Sequence, residues 1–165
     1  MGPNKLVKVS PVDWPTIRNL FLPDWPKHIV AYNTLDSYIN WIAQKPSLDV
    51  NVYCLNGDWS DGTHVVQVFY EKKKYYCLYF NIAFSYFKNG THIYIRTLDD
   101  TKNDRLKTLL ELMDWENIHD LKAFMAQHYK MVKEVMISKN VTASNEAQGD
   151  FLYFDKRDAK NLVIK

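Results

Sequence analysis

Residues 50–70 read VNVYCLNGDWSDGTHVVQVFY. Val50 to Leu55 and His64 to Tyr70 alternate as strands do, and the segment between them carries two glycines. Gly57 and Gly62 stand with four residues between them, the spacing found in loops that wrap phosphates. The flanks decide against that chemistry. Thr63 and His64 follow where a phosphate loop needs Lys and then Ser or Thr, and the next segment is a strand, not a helix whose first N–H groups face an anion. Asp58 and Asp61 also put negative charge where a phosphate would sit. The loop reads as a tight strand connection in which Gly62 takes a backbone angle that other residues avoid.

Working outward, the chain builds a sheet with helices on either side in sequence. Lys5 to Val9 makes a short first strand, and Ser10-Pro11 is a helix start with Ser10 as cap. Trp14, Ile17, Leu20 and Phe21 recur at helical spacing to Leu22, and Pro23 and Pro26 interrupt the chain. A second helix is predicted from near Asn33, with Asp36 at the capping-box distance, Leu35, Tyr38, Ile39 and Ile42 as its apolar face, and Pro46 as its stop. Beyond the opening stretch, Lys72-Lys73-Lys74 reads as a solvated turn or blunted strand edge, and Tyr75 to Phe80 as a further strand. Asn89-Gly90 is a turn, and His92 to Leu98 is a strand. Leu106, Leu109, Leu110 and Met113 then mark one helix. A longer stripe, Leu121, Phe124, Met125, His128, Val132, Val135 and Met136, marks another within residues 117–140. The polar run 140–150 reads as a linker, and Phe151 opens a last aromatic strand. This order predicts a mixed α+β fold: a single mixed sheet flanked by helices.

The 165 residues suit one domain, and 47% hydrophobic with 24% charged residues is an ordinary globular composition. A net charge of +2 gives no field that would gather nucleic acid. Most of the five tryptophans lie at element ends and read as edges of the core in preference to a stacking platform. Cys54 and Cys77 lie in strand-like runs; a disulfide between them is geometrically possible, but they read in preference as buried free thiols, which fit a reducing compartment. MGPNKLVKVS is neither a signal peptide, a myristoylation site nor an Arg- and Ser-rich presequence, and Tyr75 to Phe87 is too short to span a bilayer. The expectation is an intracellular chain, cytoplasmic in preference to mitochondrial, without membrane partners. Asn89-Gly90-Thr91 and Asn140-Val141-Thr142 match the glycosylation pattern, which has meaning only in a secreted chain.

No G-x-G-x-x-G and no Q/R-x-x-G-x-G/A occurs, so no cofactor-binding residue is assigned. The histidines at 28, 64, 92, 119 and 128 lack metal-ligand spacing; His119 and His128 can share a helix, and His128 reads as a core histidine. No metal is expected. Cys54 and His64 across the hairpin are the one nucleophile–base pairing to weigh, and no G-x-S-x-G elbow accompanies them. Catalytic residues stay unassigned.

Asp24-Trp25-Pro26-Lys27-His28, then Tyr32, Tyr38 and Trp41, lead into NVYCLNGDW at 51–59, DGT at 61–63 and LLELMDW at 109–115. Together these resemble the amino-terminal half of the insect glycine N-acyltransferase-like proteins, in the GNAT superfamily of acyl-CoA N-acyltransferases. The resemblance runs from about Leu6 to Asn140 and rests on structural aromatics and turns. It implies two GNAT-like halves: 1–140 would be the first, and 141–165 a linker and strand leading to the second. In that family acyl-CoA is the co-substrate, and its pyrophosphate sits on a Q/R-x-x-G-x-G/A loop of the second half. The implied role here is a non-catalytic half-domain that supports acyl transfer to a small amine such as glycine, with a carboxyl-terminal GNAT half as partner. Two alternatives stay open: a self-sufficient acyltransferase with a degenerate cofactor loop, or an aromatic-rich binding module. Residues 68–88 are extra relative to the family pattern, as an added hairpin or an insertion such as a translated intron. If the activity draws on this half, the substrate-side candidates are Tyr32, Asn33, Asn56 and Asp58, read as loop-borne polar positions near the sheet opening.

Overall fold

The computed structural model describes residues 2–70, 90–98, 104–122 and 126–142. The expected strand at 75–80, the lysine turn, Cys77 and the terminal strand after 150 lie outside the described residues. Five strands form one sheet in the order β1 (Leu6–Lys8), β2 (Val50–Leu55), β3 (His64–Tyr70), β4 (Gly90–Arg96) and β5 (Ile118–Lys122). The first four are antiparallel neighbours, whereas β4 and β5 run parallel. A 3₁₀ turn (Pro11–Asp13), α1 (Trp14–Asn19) and α2 (Ile29–Gln44) connect β1 to β2. Helix α3 (Asp104–Glu111) connects β4 to β5, and α4 (Tyr129–Ser138) follows β5. The expected mixed α+β class, one mixed sheet with helices, is what the chain adopts.

The alternation in the opening stretch sends its side chains to two separate cores. Val50, Val52, Cys54, Val66 and Val68 pack with Trp14, Ile17, Phe21, Leu35 and Tyr38 beneath α1 and α2. Leu55, Val65, Ile93 and Ile95 pack with Leu106, Leu109, Leu110, Val132 and Val135 beneath α3 and α4. Val65 and Val66 are both fully buried because helices cover both faces. The connection behaves as its glycine predicts: Gly62 has φ 70°, and a Cβ there would stand 2.9 Å from Leu98 Cγ and 3.1 Å from Phe21 Cζ. Of the extra run, Val68, Phe69 and Tyr70 belong to β3 and pair with His92, Thr91 and Gly90, while 71–88 lies outside the described residues.

Three sequence expectations are corrected. Helix α2 begins at Ile29, not near Asn33, since nothing between Pro26 and Ala31 obstructs helical hydrogen bonding and Ala31 is already in the core. Asp36 therefore lies inside the helix, where it takes an ion pair from Arg18 at 2.7 Å and caps nothing. Ser10 stands at its cap position without a side-chain cap bond. The long stripe at 117–140 is not one helix. Asp114 accepts from the Glu116 N–H and the Asn117 side chain, closing a 3₁₀ turn at Trp115–Asn117, and Ile118–Lys122 then joins β4 as a strand. Pairing with β4, and burial of Ile118 and Leu121 against the α3/α4 core, override the helical spacing. His119 and His128 consequently stand on different elements.

Trp14 and Trp115 close core edges as expected, their indole N–H groups donating to Val9 and Leu110 carbonyls at 3.2 and 2.7 Å. Trp25 and Trp41 are half-exposed, edge-on to Tyr32 and Tyr38. Among the described residues, no helix is long and apolar enough to cross a membrane.

Candidate functional site

Beneath α2 the sheet changes character toward β5. Strand β4 reads Gly-Thr-His-Ile-Tyr-Ile-Arg, so Ile93 and Ile95 enter the α3/α4 core while His92, Tyr94 and Arg96 share the opposite face. That face also receives His64, whose register partner is Arg96, and Tyr94 lies opposite Val66. From β5, Asp120 stands opposite His92 and Lys122 opposite Tyr94. The register slips by one residue between Thr91/Ile118 and His92/Asp120, leaving His119 as the extra position. Without that slip Asp120 would oppose Ile93 and face the apolar core.

The result is a strip of polar side chains set along the β4–β5 seam. His92, with only 4% of its side chain exposed, puts Nδ1 3.3 Å from Asp120 Oδ2, and Lys122 Nζ reaches the same oxygen at 3.0 Å. Hydrogen bonding from His92, then from Lys122, holds the Asp120 carboxyl below its ordinary range despite partial burial. A histidine held 3.3 Å from a carboxylate is the base-and-orienter half of a nucleophilic or acid–base constellation.

Farther along the strip, buried Arg96 donates to Thr34 Oγ1 at 3.0 Å and to the Ile95 carbonyl at 2.7 Å. The Thr34 hydroxyl in turn donates to the Val30 carbonyl at 2.7 Å, so α2 and β4 are tied together through one guanidinium. Burial lowers Arg96 to about 10, which leaves it a cation at neutral pH. His64 is fully buried, with Nδ1 2.9 Å from the Gly62 carbonyl. A carbonyl only accepts, so Nδ1 carries the proton. Burial pushes His64 down to about 4, with Arg96 adding to the shift and the Gly62 bond opposing it. Phe21 meets the His64 and His28 rings edge-on at 5.8 and 5.7 Å. Tyr38 and Tyr94 rings lie 5.9 Å apart. Two cations, a carboxylate and two histidines on one face suit a small polar or anionic molecule. Among the described residues no group of three His, Cys, Asp or Glu could hold a metal ion.

The residues proposed from sequence lie elsewhere, in two pairs. Tyr32 and Asn33 are on α2, not on a loop, and Tyr32 packs between Trp25 at 5.6 Å and the Arg18 guanidinium at 5.1 Å. Asn56 and Asp58 share the exposed turn after β2. Asn56 bonds to Asn4 and to the Lys5 N–H. Asp58 is brought to about 2 by the Ser60 N–H and hydroxyl, with Arg105 of α3 at 2.9 Å adding to the effect. The two pairs thus turn to different neighbours, one to α1 and one to the amino-terminal arm and α3. Cys54 and His64 do not spend their bonds on each other: Cys54 Sγ lies 3.8 Å from the Val7 carbonyl, and burial pushes its thiol up, the reverse of activation.

The sequence reading missed His92, Arg96, Asp120 and Lys122. The alternation in residues 91–96 already put His92, Tyr94 and Arg96 on one face, and that signal was available. Asp120 was hidden because its placement depends on the register slip. A surface hollow of about 490 Å³ lined by Met113, Trp115, Lys139 and Val141 includes none of these residues. Compared with known protein families, curated proteins and solved structures, the chain matches none.

Proposed function

We propose that this chain is a GNAT-like half-domain of a glycine N-acyltransferase-like protein, which supports acyl transfer from acyl-CoA to a small amine by packing against a carboxyl-terminal GNAT half that follows it. The observation that carries the reading is the sheet: an antiparallel run, β1 to β4, turns parallel at β5, where the strand order among the described residues ends. An outer strand offers its backbone groups to a neighbouring unit. The polar strip lies along that same seam, so a second half added beside β5 meets Asp120 and Lys122, with His92 buried behind Asp120. The aromatic and turn motifs of the resemblance support the same reading, in which the second half would carry the glycine-rich CoA loop. Helices on both sheet faces weigh against a binding module that uses an open sheet.

The His92–Asp120 pair favours a second reading, a self-sufficient acyltransferase in which His92 accepts the amine proton. Titration of the chain with acetyl-CoA, followed by an acyl-transfer assay with glycine, separates the two. The half-domain reading expects neither saturable binding nor transfer. Saturable binding, with transfer that disappears in His92→Gln, would replace it with the second.

A further inference from the structure

Two exposed asparagines of this chain hold the same unusual backbone angle, and only one of them is followed by glycine. Asn56 has φ 56° and precedes Gly57; Asn140 has φ 57° and precedes Val141. Asn56 and Gly57, the latter at φ 78°, form a two-residue left-handed turn closed by the Asp58 N–H on the Leu55 carbonyl at 3.0 Å. Asn140 follows Lys139, the C-cap of α4, and the Val141 N–H behind it donates to the Met136 carbonyl at 2.9 Å.

We propose that Asn56 is a site of spontaneous backbone-assisted deamidation, restrained by the amino-terminal arm at Asn4 and Lys5. In this reaction the Gly57 amide nitrogen, losing its proton to solvent base, attacks Asn56 Cγ. The Cγ–Nδ2 bond breaks and ammonia leaves with a proton, closing a succinimide. Water then opens the ring at either carbonyl, giving aspartate or isoaspartate. The sum is asparagine plus water giving aspartate plus ammonia, with no change of oxidation state.

Gly57 suits the attacking role because it has no Cβ to obstruct the ring, and its N–H faces the Cys54 sulfur, a weak acceptor. Val141 carries a branched Cβ, and its N–H is tied to a full-strength carbonyl acceptor. The restraint at Asn56 comes from a grip on both ends of its side-chain amide. Oδ1 accepts from the Lys5 N–H at 2.9 Å, and Nδ2 donates to Asn4 Oδ1 at 2.9 Å. The Asn56 N–H also donates to the Lys5 carbonyl at 2.9 Å. Turning Cγ toward the Gly57 nitrogen requires this grip to open. The aspartate product still accepts from the Lys5 N–H but loses the proton that Asn56 gives to Asn4 Oδ1, and it adds negative charge beside Asp58. Deamidation therefore loosens the arm that precedes β1.

The test is peptide mapping by mass spectrometry with an isoaspartate assay, after prolonged incubation of the full chain in mildly alkaline buffer. Wild type, Asn4→Ala and Asn4→Asp are compared folded, and wild type also in urea. Conversion at Asn56 outpacing that at Asn140 in the folded wild type is expected. Asn4→Ala should speed conversion at Asn56 several-fold without changing Asn140. Asn4→Asp keeps the acceptor oxygen and should stay at the wild-type rate, and urea should raise the Asn56 rate at least as far as Asn4→Ala does. Equal rates at Asn56 and Asn140, or no conversion at Asn56 when folded, would overturn the site. An Asn4→Ala rate equal to wild type would overturn the restraint.

Discussion

The two faces of the sheet are built differently. Beneath α3 and α4 the strands contribute Val65, Ile93 and Ile95 to a core of leucines and valines, and burial of apolar area accounts for the packing. Beneath α1 and α2, Val52, Val66 and Val68 meet Trp14, Phe21 and Leu35, yet the same face buries His64, His92 and Arg96. Burying polar groups costs free energy unless each is hydrogen-bonded. This face keeps such groups, with Arg96 bonded to Thr34 and His92 beside Asp120, an arrangement that packing alone does not require.

The largest effect should come from the apolar face. Leu109→Ala removes a fully buried side chain and is expected to cost about 3–4 kcal/mol, read as a lowered urea midpoint with unchanged slope. A loss below about 1 kcal/mol would mean that this core is loosely packed.

The polar face should answer to pH instead. His64 titrates near 4 when folded, against its ordinary 6.5, so between those values the unfolded chain binds the extra proton. Stability is unaffected by this group above pH 6.5, falls by roughly 3 kcal/mol as pH drops to 4, and levels off below that. His64→Leu should flatten this slope, as measured by urea unfolding across the window. An unchanged slope would show that His64 is not the group responsible.

The connection between the faces gives a smaller effect. Gly62→Ala forces a side chain into a left-handed angle and against Leu98 and Phe21, with an expected cost of about 1–3 kcal/mol in thermal unfolding. Smallest is the exposed Asp58–Arg105 pair. Asp58→Asn should shift stability by less than about 1 kcal/mol at neutral pH, a difference that disappears as pH falls from 3.8 toward 2.

The legibility of the fold in the sequence follows the same division. Strands β2, β3 and β4 were readable because their alternation serves two buried faces, and the helical stripes of α1 and α3 because one side packs. The start of α2 was misplaced because a plausible cap pattern at Asn33 and Asp36 competed with an unobstructed helix from Ile29. Strand β5 was concealed because Leu121 fits a helical stripe as well as it fits a strand, and only its pairing with β4 distinguishes them. The polar strip was half-legible: β4 displays His92, Tyr94 and Arg96 at period two, but Asp120 reaches His92 through a register slip that no local pattern announces. The loop candidates Asn56 and Asp58 were correctly placed in a turn, whereas Tyr32 and Asn33 were carried into α2 when its start moved.

The half-domain account is tested most directly by the size of the protein in its own cells. If a second half follows, as proposed, an immunoblot of a denatured extract with an antibody raised against this chain should show a band well above 19.5 kDa. A single band at 19.5 kDa would contradict the account and leave the His92–Asp120 pair to be explained by a chain acting alone.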